Sequence, residues 1–226
     1  MYYELGVTPH GLPHDPFKSC VIPRPIGWIS TVDAQGRHNL APYSQFQNVT
    51  FDPPIVMFSA NQTTQGERKD SVRNAEQTGE FVWNMATYAL RDAVNISAEE
   101  VPHGVDEFER AGLEKLPSRL VRPMRVKCSP IQFECVYLNT LRFPGVPPMG
   151  TADVVFGRVV AIHIDDEVID GQGMLDILKI QPLARMGYYD YTFVDNKFEM
   201  VIGGNNTALL AGLEGSPDKA KVATDR

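Results

Sequence analysis

The chain has 226 residues, of which 43% are hydrophobic and 22% charged, with 21 Lys+Arg against 28 Asp+Glu and a formal net charge of -7. That length predicts one domain, long enough to bury a sizeable core without staples. The acidic balance excludes a general nucleic-acid binder, which needs a dominant basic surface.

Residues 1–18 are rich in Gly, Pro and His and read as an extended N-terminal arm. Ile26 to Val32 is a short β-branched run and predicts a strand. Asp33-Ala-Gln-Gly36 marks a turn, and a second strand-like run over Asn39 to Phe51 completes a hairpin. Asp52-Pro-Pro54 breaks the chain before a third strand, Ile55 to Ala60, and a polar loop follows over Asn61 to Glu67. Asp70 to Thr78 predicts a short helix, capped by Asp70 or Ser71 and stopped by Gly79. Glu80 to Met85 is a strand. Residues 88–113 read as helix in two pieces, divided at Pro102-His-Gly104.

Further on, Ile131, Phe133, Cys135 and Tyr137 alternate with Gln132 and Glu134, the period of a strand. Pro144-Gly-Val-Pro-Pro148 is a loop. Val154, Phe156, Val160, Ile162 and Ile164 form one face of a long strand, which leaves Val155, Val159 and Ala161 on the other. A helical turn follows at Gly173 to Lys179, and residues 213–226 are a flexible tail. Strands at short spacing with inserted helices favour a β-barrel over a doubly wound sheet.

Several chemistries have no signature here. There is no Gly-X-Gly-X-X-Gly, no P-loop and no Gly-X-Ser-X-Gly elbow. His10 and His14 lie in a Gly/Pro arm that does not hold them on one helix face. His163 opposes Val160 and Ile162, and a hydrogen-bonded histidine of a barrel wall is favoured over a cofactor contact. Three cysteines, Cys20, Cys128 and Cys135, do not describe a disulfide framework; Cys128 and Cys135 read as buried structural thiols. No basic-then-apolar start and no run of ~18 apolar residues occurs, so a cytoplasmic location is expected.

Two segments carry chemistry. Arg68-Lys69 precedes a helix N-terminus, whose N–H groups and dipole favour an anion; the guanidinium, ammonium and Ser71 hydroxyl make a seat for phosphate. The bland alternative is a solvated basic pair. Asn39-Leu-Ala-Pro-Tyr-Ser-Gln-Phe46 carries a proline and several hydroxyl and amide groups within a strand, which implies an edge or bulge whose backbone meets a planar heteroaromatic; a merely irregular edge strand is the alternative.

Taken in order, Arg24-Pro25, Ser30-Thr31, Asn39-Leu-Ala-Pro-Tyr-Ser44, Phe46, Asp52-Pro-Pro54, Lys69-Asp-Ser71 and Thr78-Gly-Glu-Phe-Val-X-Asn84 resemble the flavin reductase-like, FMN-binding split-barrel family. Gly157-Arg-Val-Val160 and Leu183 to Tyr189 extend the resemblance over roughly residues 18–200. Ser71 stands where the family often has threonine, Met186-Gly187 where it often has two glycines, and residues 86–118 form a longer insertion than short members carry.

The resemblance implies a mainly β fold with inserted α, a six-stranded Greek-key split β-barrel with helical decorations, and a homodimer with FMN near its interface, in which the second copy covers Val155, Val159 and Ala161. It places Ser30 and Thr31 near the ribityl-phosphate or pyrimidine side, and Ser44, Gln45 and Phe46 along the ring. Ser59, Ala60 and Asn61, with Arg68, Lys69 and Ser71, hold the phosphate end, and Trp28 is a ring neighbour or a core residue. The function implied is an oxidoreductase in which NADH or NADPH reduces flavin and electrons pass to an acceptor or partner. A non-enzymatic flavin-binding electron carrier or redox sensor on the same barrel is the alternative, and a barrel for another anionic or tetrapyrrole ligand is a third.

Overall fold

The computed structural model describes residues 1–200; the expected tail over 213–226 lies outside them. Met1–Asp195 is one compact unit, and the described part of the following unit, residues 196–200, carries no helix or strand. After the arm come β1 (Arg24–Pro25), β2 (Gly27–Val32), β3 (His38–Tyr43), β4 (Phe46–Phe51), β5 (Pro54–Asn61), α1 (Asp70–Thr78) and β6 (Glu80–Asn84). The insertion, which in the structure runs on from the expected 86–118 to residue 126, holds α2 (Arg91–Ile96), α3 (Glu107–Arg110), β7 (Lys115–Leu116) and β8 (Arg125–Val126). Then follow the long strands β9 (Ile131–Phe143) and β10 (Ala152–Ile164), with α4 (Ile177–Ile180), β11 (Leu183–Arg185) and β12 (Tyr191–Phe193).

The main sheet runs β3-β2-β6-β9-β10-β5-β4, antiparallel throughout. The mainly β split barrel expected from sequence is therefore present, with seven strands in the sheet rather than six. The extra strand comes from Asn39–Phe51, which is not one strand of a hairpin. It bends at Ser44-Gln45: β3 pairs with β2 at one end of the sheet and β4 pairs with β5 at the other. The two sheet ends meet at that bend, where Ser59 N donates to Gln45 O at 2.9 Å and the Tyr43 and Phe58 rings lie 5.1 Å apart.

The barrel interior is filled by Ile29, Phe46, Val56, Phe58, Phe81, Trp83, Cys135, Val155 and Val159. Helix α1 closes one end with Val72 and Ala75. It stops where expected: Gly79 takes φ 75°, open to glycine without a Cβ clash, and its N–H reaches Ala75 O. Asp70 does not cap it; the residue before the helix is Lys69, and the Asp70 carboxylate bonds His103 Nδ1 at 2.9 Å instead.

Every residue of β2 is buried because both its faces are covered. Ile29 points into the barrel, while Ile26, Trp28 and Leu40 form a second core with Ala86, Val94, Phe108 and Val126 of the insertion. Residues 86–126 thus complete a second hydrophobic core rather than forming an ornament.

On β10 the two faces are the reverse of the expected ones. Val155 and Val159 are buried in the barrel, and Ile162 and Ile164 are exposed on the outside. The cause is steric. Large rings from β5 and β6 fill the interior, so β10 presents small residues to them; a Cβ on Gly157 would stand 2.3 Å from the Phe81 ring. His163 is bonded within the wall, Nε2 to the buried Glu134 carboxylate at 2.5 Å. Of the two thiols read as buried, Cys135 is and Cys128 is exposed.

Candidate functional site

A cavity of about 740 Å³ opens beside the bend that joins the sheet ends. Its walls include Pro42, Tyr43, Ser44 and Gln45 from the bend, Ser59 and Asn61 from β5, and Thr64 and Lys69 from the loop before α1. Arg185, Tyr188 and Tyr189 face them, with Phe17 and Lys18 of the arm. The arm and the late tyrosines are brought together by Arg24, whose guanidinium donates to the carbonyls of Lys18, Val21 (2.7 Å) and Met186 (2.9 Å). Its side chain ties two distant segments into one wall.

Ser44, Gln45, Ser59, Asn61 and Lys69, all predicted site residues, line this cavity. Among the described residues, the side chains of Ser44, Gln45, Ser59 and Asn61 make no hydrogen bond within the protein. Polar groups in a concave wall without internal partners are available to a ligand.

The remaining predicted residues sit elsewhere. Trp28 is fully buried and donates from Nε1 to Ser97 Oγ at 2.9 Å, so it is a core residue. Ser30 donates to Met124 O at 2.6 Å, and Thr31 Oγ1 lies 3.2 Å from Asn39 Oδ1. Ser30 is sealed under the segment that follows β6, while Thr31, on the opposite face of the strand, is sealed under α1, where it also accepts from Asn74 Nδ2 at 3.0 Å. Phe46 points into the barrel and stacks on Trp83, centroids 5.3 Å apart and planes 3° apart. Ala60 alternates inward from Ser59 and Asn61, as β pleating requires. Ser71 is buried and donates to Asn39 Oδ1 at 2.7 Å, at the edge of a neighbouring polar cavity of about 210 Å³.

Arg68 is also diverted from the expected anion. Its Nε donates to Asp153 at 2.8 Å, and its two Nη atoms grip Glu76 at 2.8 and 2.6 Å. The buried Asp153 carboxylate takes Arg142 as well, at 2.7 Å. The guanidinium is fully engaged and fixes the loop before α1 to β10.

Sequence reasoning missed three participants. Thr64 presents both its N–H and its hydroxyl next to Lys69, and Glu100 of the insertion accepts from all three: Lys69 Nζ at 2.8 Å, Thr64 N at 3.0 Å and Thr64 Oγ1 at 2.5 Å. Those contacts hold the Glu100 carboxyl low, at about 2. Glu107 lies under the neighbouring cavity, buried and bonded to Asn39 Nδ2 and Leu40 N. Burial pushes its carboxyl up to about 7 despite those donors. No local motif marks any of the three, since each acts across a long stretch of chain.

The flavin reductase like domain model matches residues 19–194. The chain belongs to the flavin reductase-like family. Members resembling it include an uncharacterized protein of Aquifex aeolicus, 35% identical over 80% of this chain and 90% of its own length. The uncharacterized protein YwrF of Bacillus subtilis is 32% identical over 80% of this chain and 88% of its own. Among solved structures, nitrilotriacetate monooxygenase component B of Bacillus cereus matches at TM-score 0.77 and 28% identity, over 88% of this chain and all of that one. The flavoredoxin of Desulfovibrio vulgaris shares the fold at TM-score 0.69 and 17% identity, over 92% of this chain and all of its own. The family's split barrel is the fold seen here, and flavin-related oxidoreductase chemistry is the family's province. No helix among the described residues is long and apolar enough to cross a membrane.

Proposed function

We propose that this chain binds FMN in the cavity beside the bend and that NADH or NADPH reduces it, with electrons passing on to an acceptor or partner. The observation that carries this reading is the donor set: a cationic end at Lys69 and Thr64, then a row of unpartnered hydroxyl and amide groups from Ser44 to Asn61. Such a set suits a ligand with a phosphate at one end and a polar heteroaromatic edge at the other.

Lys69 is the phosphate contact of this proposal, with the Thr64 N–H and hydroxyl beside it. Ser44, Gln45, Ser59 and Asn61 orient the ring by hydrogen bonding, while Phe17, Tyr188 and Tyr189 exclude water from its faces. Arg68 acts behind them, through Asp153 and Glu76, as a positioning residue. FMN, when bound, supplies the electron-accepting chemistry, and the protein supplies placement and electrostatics. The exposed Leu138, Leu141, Phe143, Ile162 and Ile164 on the long strands support a homodimer, whose second copy would cover them.

Anaerobic mixing of FMN-reconstituted protein with NADH and with NADPH tests the reductase. Rapid loss of flavin absorbance with at least one nucleotide, and turnover when an acceptor is added, is the expected result. Indifference to both nucleotides, with reduction by a protein donor, would make the chain an electron carrier instead. Sedimentation at micromolar concentration checks the dimer: a monomer that holds FMN tightly overturns that part.

A further inference from the structure

Lys69 is not idle in the protein as it stands. Its ammonium, the Thr64 N–H and the Thr64 hydroxyl converge on one carboxylate, that of Glu100. A cation, a backbone N–H and a hydroxyl aimed at a single anionic group is the arrangement that holds a phosphate. Glu100 is carried by the insertion, more than thirty positions from Lys69, so the contact is tertiary rather than a neighbour effect. It also stands where the two cavities adjoin, since Pro42, Tyr43, Lys69 and Glu100 line both.

We infer that Glu100 is a resident counter-anion of the phosphate seat, which a phosphorylated ligand must displace to bind. This rests on the reading of Lys69 and Thr64 as the FMN phosphate contact. A seat already filled by a carboxylate is discriminating. A neutral ligand such as riboflavin gains nothing by evicting Glu100, and a ligand must bring at least comparable negative charge to take its place. Glu100 therefore sets how much of the phosphate's binding free energy appears as affinity, and it weakens FMN binding relative to an open seat.

The displacement is local. Glu99, next in the chain, is ion-paired with Arg110, and Val101 is half-buried, so the backbone on either side is anchored. The Glu100 side chain can rotate away without moving the insertion. Glu100 itself is exposed and contributes to none of the hydrophobic clusters, so replacing it leaves the fold in place. Its carboxyl, held low by Lys69 and Thr64, stays ionised at all working pH values.

The test is a set of fluorescence titrations with FMN and with riboflavin on the full chain, its Glu100→Gln and Glu100→Ala variants, and Lys69→Ala, each with a melting curve. The two Glu100 variants should bind FMN roughly 3- to 10-fold more tightly than the parent, as expected for removing a competing charge-assisted contact, with riboflavin unchanged. Inorganic phosphate should raise the melting temperature of Glu100→Ala more than that of the parent. If Glu100→Gln leaves FMN binding unchanged or weakens it while Lys69→Ala weakens it, Glu100 is a support for the lysine and this inference falls alone. If Lys69→Ala leaves FMN binding untouched, the phosphate seat itself is misassigned and the inference falls with it.

Discussion

Behind β2 and β3, Thr31, Asn39, Ser71 and Asn74 bond to one another, and Ser30, Asn84 and the backbone of Met124 and Val126 form a second such set. At the mouth of the barrel, Ser44, Gln45, Ser59 and Asn61 carry the same kinds of side-chain groups, and those side chains bond to nothing among the described residues. The first set is buried and its polar atoms answer each other, so its work is to specify the packing of the insertion and of α1 against the barrel. The second is left unanswered in a concave wall, which is what the proposed flavin site needs. Residue type does not separate the two; partners do.

The sharpest break between them is at Asn39. Its amide donates to both oxygens of the buried Glu107 and its carbonyl accepts from Thr31 and Ser71. Asn39→Ala leaves Leu40 N on the buried Glu107 carboxylate but removes its amide donor, and takes the acceptor from two buried hydroxyls, so it should lower the unfolding free energy by about 3 kcal/mol in a urea titration. FMN and riboflavin binding by the remaining folded protein should fall together, if at all. A selective loss of FMN would move Asn39 from the first set to the second.

Glu107 sharpens the same contrast through pH. Its carboxyl is raised to about 7 in the folded protein by burial, so between the ordinary glutamate value and about 7 the folded state holds a proton that the unfolded state has lost. Stability from this group is therefore greatest in acid and declines as pH rises through that window, by up to ~3 kcal/mol. Glu107→Gln should flatten the decline. Comparing melting curves of parent and variant at pH 5 and pH 8 checks it, because all other titrations cancel in the difference; equal slopes would mean that Glu107 is solvated.

At the mouth the expectations are opposite in kind. Lys69→Ala should weaken FMN binding by roughly 10- to 100-fold, the worth of a charge-assisted hydrogen bond, with little change in riboflavin binding or melting. Ser59→Ala, the smallest effect, should weaken both flavins alike by roughly 3- to 10-fold and leave the melting curve in place. A Ser59 variant that melts early would return that hydroxyl to the structural set.

Local signals were readable from the sequence. The end of α1 follows from Gly79, while its start falls at Asp70 without the side-chain cap that the sequence suggested, and the irregularity of Asn39–Phe46 flags the bend. What the sequence does not carry is the partner of each group. Ser30 and Ser44 are alike as letters, but Met124 lies more than ninety positions from Ser30 and closes over it. Alternation along β10 shows two faces without saying which is inside; the bulk of Phe58, Phe81 and Trp83 on other strands decides that. Arg68 is drawn to Asp153 by a pairing that spans 85 residues, and Glu100 reaches Lys69 from an insertion with no motif of its own.

The meeting of the sheet ends at Ser44-Gln45 has a mechanical side. A barrel with a split has two edge strands, β3 and β4, whose outer rows can fray independently of the centre. A molecule held by Tyr43, Ser44 and Gln45 on one side and by Ser59 and Asn61 on the other spans that seam and works as a clasp. Occupancy of the cavity then slows amide hydrogen exchange along both edges at once, and raises the melting temperature with ligand concentration by mass action. The split between the edges and the proposed binding site share one line, so on that proposal a bound flavin also decides how tightly the barrel is shut.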